Sequence, residues 1–238
     1  MKSKKLKKWT TLLTCATALT VMTACSQSSS QSTGTTSSTT SKTSAVTATT
    51  SKKTNKNSNS NYFTSKDSDT SYNESSATKI KLSGSSADVS GDGAALSGST
   101  VTISKAGTYV ISGKSDGVQI KVDAGDSDDV HIVLDGATMT NTNAAINATK
   151  AGHVYLTLKD GTTNTLSDSS SNSDEDADAV IFSKGDLTIN GSGTLNIDAK
   201  KNNGIKANDS LHMTGGTYKI TSVGDAFNVN DELNITGT

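Results

Sequence analysis

The sequence predicts an all-β protein that folds as a parallel β-helix, with three short strands in each coil of about 22–24 residues. Short apolar runs alternate with polar residues at period two, which is typical of strands. Glycine, aspartate and asparagine separate these runs, as expected for tight turns. No stretch of a dozen residues shows helical spacing, so we expect no long helix.

A repeat in the second half of the chain supports this fold. A segment that begins with leucine recurs after 24 and then 22 residues, at Leu187, Leu211 and Leu233. Another apolar residue precedes each leucine by six positions, at Ile181, Ile205 and Phe227. Stacked coils would place equivalent residues in columns. The last coil is incomplete, so we expect the domain, which begins near residue 77, to continue past residue 238.

The first 24 residues have the features of a lipoprotein-type signal peptide. Five lysines precede an apolar stretch, which ends in Met22-Thr-Ala-Cys25. This ending resembles the lipobox of bacterial lipoproteins, although leucine is more usual than Met22. The resemblance implies lipidation at Cys25 and anchoring to the outer face of the bacterial cell membrane. Secretion without a lipid is the alternative.

Residues 25–76 are rich in serine, threonine, asparagine and lysine. Between residues 26 and 61 the only branched aliphatic side chain is Val46. Such a segment buries too little apolar surface to offset the entropy of ordering it. We therefore predict a disordered tether that leads to a folded domain over residues 77–238.

The charged residues exclude a nucleic-acid-binding role. All 22 basic residues are lysine, and arginine, the residue best suited to forked phosphate contacts, does not occur. If Cys25 carries a lipid, the mature chain has no cysteine left to form a disulfide. Packing, hydrogen bonds or bound ions must then stabilise the domain.

Several blocks resemble a bacterial family of cell-surface carbohydrate-binding β-helix proteins, once defined only as a domain of unknown function. The match runs from about Lys79 to the end, and its blocks begin at Ala106, Asp116, Leu134, Asp186, Asn203 and Met213. The resemblance implies a right-handed parallel β-helix related to pectate-lyase-like folds. It also implies bound calcium and the binding of plant-type, including acidic, polysaccharides. We expect a monomer.

Oxygen-bearing side chains recur at one corner of the predicted coils. Stacking would bring them close together, and hard cations such as calcium take six to eight oxygen ligands. The alternative is that each residue caps a local turn. The candidate metal ligands are Asp174, Asp176, Asp178, Asn202, Asn203 and Asp225.

A second set of residues alternates outward on one predicted sheet face, where tyrosine can stack on a sugar ring and hydroxyls and amides can hydrogen-bond to it. The alternative is an ordinary solvated face. The candidate substrate-binding residues are His131, Tyr155, Thr188, His212 and Asn234.

Together these features predict a non-catalytic, calcium-stabilised surface lipoprotein that binds polysaccharide. One alternative is a calcium-dependent, pectate-type lyase in which Lys206 abstracts the proton beside a uronate carboxylate. Lys206 is otherwise a plain surface lysine, and the chain has no arginine to hold a uronate. Another alternative is an adhesin or a structural spacer.

Overall fold

The structure, a computed structural model, describes residues 44–48 and 62–237. The signal peptide, Cys25 and most of the predicted tether lie outside these residues. The described part contains strands and one short 3₁₀ turn, Ser65–Ser68, and no α-helix. No helix in these ranges has the length and apolar character needed to cross a bilayer.

The strands are short, as the period-two runs predict. In chain order they are β1 (Ser44–Ala48), β2 (Thr78–Gly84), β3 (Ser86–Ser90), β4 (Ala94–Ser97), β5 (Thr100–Ile103), β6 (Gly107–Asp116), β7 (Gln119–Asp123), β8 (Asp129–Thr140), β9 (Ile146–Lys150), β10 (His153–Leu158), β11 (Thr163–Ser167), β12 (Ala179–Ser183), β13 (Leu187–Gly191), β14 (Thr194–Ala199), β15 (Asn203–Ala207), β16 (Leu211–Met213), β17 (Thr217–Ser222), β18 (Phe227–Val229) and β19 (Leu233–Ile235).

Three parallel ladders organise the domain. In the first, β8, β10, β13, β16 and β19 pair in that order. The second runs from β8 through β11 and β14 to β17. The third, a separate sheet, contains β5, β7, β9, β12, β15 and β18. The long strand β8 takes part in the first two ladders, which therefore belong to one sheet.

Antiparallel pairs make both sheets mixed. The strands β2 and β3 form one such pair, β4 and β5 form another, and β1 pairs with β17. The prediction of an all-β protein is confirmed.

The apolar columns face one another between the ladders. Leu187 pairs with Leu211, which in turn pairs with Leu233, as the repeat predicts. One continuous cluster includes residues of all three ladders, among them the fully buried Ile120, Ile132, Leu166, Ile205 and Leu211. Burial of these columns is the main source of stability, because the chain gains free energy with every apolar side chain removed from water.

One glycine shows how closely neighbouring strands approach at a corner. Gly191 ends β13 with φ of +95°, in the region that side-chain-bearing residues avoid. A Cβ atom there would collide with the main-chain oxygen of Leu158 on the neighbouring strand β10. Only glycine satisfies both conditions at this position.

Candidate functional site

The structure brings the five predicted substrate-binding residues into one outward column. Parallel pairing aligns them across five strands of the first ladder, in the order His131, Tyr155, Thr188, His212 and Asn234. The column exists because period-two alternation sends every second side chain of each strand outward.

A segment before the first parallel strand contacts the first four members of this column. We call residues 62–73 the strap. Its Asp67 is 1% exposed, and its Oδ1 accepts a 2.6 Å hydrogen bond from Thr188 Oγ1. Its Oδ2 accepts from the main-chain nitrogen and Oγ1 of Thr64, at 2.7 and 2.9 Å. Its carbonyl oxygen accepts from Thr214 Oγ1 at 2.6 Å. The strap therefore attaches to the sheet through a buried, well-satisfied carboxylate.

The strap lies within the stretch of sequence predicted to be a tether. Two aromatic rings hold the strap against the sheet. Phe63 lies edge-on to His212 with ring centroids 5.6 Å apart, and Tyr72 lies edge-on to His131 at 6.0 Å. Aromatic rings of this kind are absent from the sequence between residues 26 and 61.

The expected sugar-stacking role of Tyr155 does not fit its surroundings. One face of its ring stacks on His153, with centroids 4.1 Å apart and an interplanar angle of 11°. The ammonium of Lys66 lies 4.8 Å from the ring centroid. Burial, reinforced by Asp129, raises the pKa of Tyr155 to about 12, so its hydroxyl remains protonated at neutral pH. Tyr155 can offer a hydroxyl to a ligand but no free ring face.

Hydrogen bonds to threonines on neighbouring strands determine the tautomers of His131 and His153. Thr157 Oγ1 donates to Asn190 Oδ1 at 2.6 Å, so His131 Nε2, 2.7 Å from Thr157, must be the donor. His153 Nε2 lies 2.9 Å from Thr188 Oγ1 in a similar arrangement. Burial lowers the pKa of both histidines, which favours their neutral forms.

A groove of about 250 Å³ lies between the strap and the edge of the covered face. We call it the strap groove. It is lined by Lys66, Asp69, Ser71, Gly107, Thr108, Asp129, His131 and Tyr155. Lys66 forms an ion pair with Asp129, and Asp69 Oδ1 accepts a 2.6 Å hydrogen bond from Ser71 Oγ. The groove thus combines carboxylate acceptors with ammonium and hydroxyl donors.

Several of these lining residues could not be identified from the sequence. Lys66, Asp69 and Ser71 come from the strap, which the composition assigned to a tether. The sequence contains only a weak indication of the strap, which is the presence of the large aromatic residues Phe63 and Tyr72 within a polar stretch. Of the five predicted substrate-binding residues, only His131 and Tyr155 line the strap groove.

The predicted metal ligands form two separate arrangements. Asp178 accepts a 2.9 Å hydrogen bond from Lys206 Nζ on Oδ1 and a bond from Asn202 Nδ2 on Oδ2. Asp225 donates its main-chain N–H to Asn203 Oδ1 at 3.2 Å. Although burial alone would raise the pKa of Asp178, bonds from Lys206 and Asn202 hold it below 3.8.

Asp174 instead caps its own loop. Its Oδ1 accepts from the main-chain nitrogens of Asp176 and Ala177, at 3.1 and 3.0 Å. Within residues 44–48 and 62–237, no three or more His, Cys, Asp or Glu side chains converge to hold a metal ion. As arranged, the six candidates do not fit a calcium site, because the Lys206 ammonium already neutralises Asp178. Calcium would have to displace it.

Lys206 has further contacts that bear on the predicted catalytic role. Its Nζ also donates to the carbonyl oxygen of Asp176 at 2.9 Å, and it lies 5.9 Å from the Phe182 ring centroid. An ammonium held by a carboxylate and a carbonyl is poorly placed to release its proton and act as a base.

A family model described as a carbohydrate-binding domain-containing protein matches residues 97–238. The chain belongs to this carbohydrate-binding domain family. A carbohydrate-binding domain-containing protein of Acetivibrio thermocellus is 37% identical over 135 residues, which cover 54% of this chain and 47% of the relative. The chain spans about half the length of this curated relative.

One solved structure resembles this carbohydrate-binding domain in fold. It is the gadolinium derivative of a polysaccharide lyase-like protein from C. thermocellum, with a TM-score of 0.55 and 24% sequence identity. The match covers 68% of this chain and 99% of that one. At this identity the likeness concerns the fold alone.

Proposed function

We propose that the domain is a non-catalytic polysaccharide-binding module, that its ladders form a right-handed parallel β-helix, and that the strap groove is its binding subsite. The observation that carries the proposal is the strap groove itself, in a chain of a carbohydrate-binding family. It gathers donors and acceptors from two distant parts of the sequence around one solvent-accessible space.

The chemistry of the groove suits a hydroxyl-rich sugar. Asp69 and Asp129 can accept hydrogen bonds from sugar hydroxyls, and Thr108 and Tyr155 can donate to ring or hydroxyl oxygens. Two carboxylates face a single lysine, Lys66, which is already paired. We therefore expect neutral glycans to bind more tightly than uronate polymers, in contrast to the acidic glycan implied by the family resemblance.

Titration calorimetry of the full chain against neutral and acidic oligosaccharides tests this function. Thr108→Val removes one hydroxyl from the groove and should weaken binding about tenfold, the equivalent of roughly 1.4 kcal/mol. Thr102→Val makes the same change on β5, in the other sheet, and should leave the affinity unchanged. Equal effects of the two substitutions would count against the groove, and no binding across the panel would favour a spacer.

The engaged position of Lys206 supports binding without cleavage. Incubation with polygalacturonate should therefore release no unsaturated product that absorbs in the near ultraviolet. Steady release of such a product, lost in Lys206→Met, would establish the lyase alternative.

The proposal includes anchoring to the outer face of the cell membrane through a lipid on Cys25. The motif Met22-Thr-Ala-Cys25 supports it. Mass spectrometry of protein expressed in a bacterial host should show a lipid-modified N-terminal cysteine, and Cys25→Ser should release the protein into the medium. Release of the unchanged protein would indicate simple secretion.

A further inference from the structure

A second cavity, of about 420 Å³, lies on the outer face of the other sheet. We call it the side cavity. Its lining includes Asn147 and Phe182, which pair across β9 and β12, together with Thr149, Lys184 and Asn208. The side cavity shares no lining residue with the strap groove.

The wall of the side cavity is the loop of residues 168–178, which contributes Asp174 and Asp176. Lys206 fixes this loop by donating to the carbonyl oxygen of Asp176, and Asp174 caps the loop from within. A wall held in this way is formed before any ligand arrives, so a ligand need not order it.

Asn147 is a nearly buried polar residue in the lining of the side cavity. The residue is 8% exposed, and its Oδ1 has no hydrogen-bond partner among the residues that the structure describes. A buried amide oxygen without a partner costs stability. That oxygen has almost no accessible surface, so the Asn147 amide must turn toward the side cavity before a donor bound there can satisfy it.

We propose that the side cavity is a second saccharide subsite, which takes a neutral, hydroxyl-rich sugar residue; this rests on the proposed polysaccharide-binding function. Sugar hydroxyls can donate to Asp174 and Asp176, and to Asn147 once its amide turns, and they can accept from Lys184. The ring of Phe182 provides an apolar surface for the C–H groups of a sugar. A bare cation would meet the ammonium of Lys184, and an anion would meet the two carboxylates.

NMR titration of the isotope-labelled full chain with cellohexaose, mannohexaose and xylohexaose tests the side cavity. At least one sugar should shift the amide signals of Asn147, Lys184 and Asn208. Asn147→Leu should weaken binding at this site at least tenfold, and its thermal unfolding midpoint shows whether it remains folded. Lys184→Met provides a second, exposed variant, and Lys219→Met, the same change on β17, is the control.

The outcomes separate this inference from the proposed function. If all three sugars shift only signals of the strap groove, the side cavity is not a subsite but the proposed function stands. If calcium chloride shifts the side-cavity signals and no sugar does, the site binds a cation and the inference is wrong. If no sugar shifts signals at either place, the proposed function fails as well.

Discussion

Thr188 Oγ1 donates a 2.6 Å hydrogen bond to Asp67 Oδ1 across 121 positions of sequence. Thr188 has no exposed surface, and Asp67 is 1% exposed. A hydrogen bond to a buried carboxylate is stronger than one between neutral groups. This contact therefore holds the strap over an outer face of the sheet, so that this face is buried. The strap groove lies at the border of the covered face.

Thr188→Val should destabilise the domain. The substitution keeps the shape of the side chain but deprives the buried Asp67 carboxylate of a donor, at a cost of about 1.5–3 kcal/mol. Urea unfolding followed by circular dichroism measures the change. Thr163→Val, at an exposed position on β11, is the matched control and should change the unfolding free energy far less. Equal losses would show that the strap bond adds no stability.

Acid should weaken strap docking through Asp67. Burial alone would raise its pKa, but hydrogen bonds from Thr188, Thr64 and His212 outweigh burial and lower the pKa below 3.8. A folded-state pKa below the unfolded value means that the stabilisation is complete above about pH 4 and is lost as the pH falls through the lowered folded value.

The difference in unfolding free energy between the wild type and Asp67→Asn measures this effect. It should be larger above pH 5 than below pH 4 and should shrink steadily as the pH falls below 4. A difference that grows on acidification would mean that the folded-state pKa of Asp67 is raised.

The ladders could be predicted from the sequence, whereas the strap could not. Strand period and the fixed spacing of Leu187, Leu211 and Leu233 are local properties that a single sequence displays. The strap instead depends on the fit of Asp67 against Thr188, and no periodicity links these positions. A polar composition predicts little core but does not exclude a segment that docks through hydrogen bonds.

The register of the ladder gives a paired test of core packing. Leu211→Ala removes a fully buried side chain and should cost about 2–5 kcal/mol. Leu233→Ala changes the next residue in the same column, which is 43% exposed, and should cost less than about 1 kcal/mol. Thermal or urea unfolding measures both. Similar costs would contradict the burial difference along the column.

The acidic corner shows a different limit of sequence reasoning. Spacing correctly placed Asn202 and Asn203 beside Asp178, because the parallel register of β12 and β15 sets those positions. It could not reveal that the flexible side chain of Lys206 reaches the same carboxylate and acts as the local cation. Side-chain reach of this kind depends on the loop of residues 168–178, whose path no repeat specifies.

Lys206→Met should make the domain sensitive to calcium. Loss of the ammonium leaves Asp178 without its charge partner and should lower the unfolding free energy by about 1–3 kcal/mol. Millimolar calcium should restore part of this loss and should raise the wild-type melting temperature less. Differential scanning fluorimetry with calcium or a chelator measures both proteins.

Lys200→Met is the control for this experiment, because Lys200 pairs with Asp198 at an exposed position. It should respond to calcium as the wild type does. A calcium response that is larger in the wild type than in Lys206→Met would show that calcium binds without displacing Lys206.

The loop of residues 168–178 lengthens one corner without moving the strands around it. Three residues, 200–202, connect β14 to β15 at the equivalent corner, yet Ile181 still pairs with Ile146 and Ile205. Foreign peptides could therefore be grafted at this corner while the scaffold keeps its alignment. For the same reason, substitutions and insertions in this loop can change the wall of the side cavity, and so its ligand specificity, with little effect on folding.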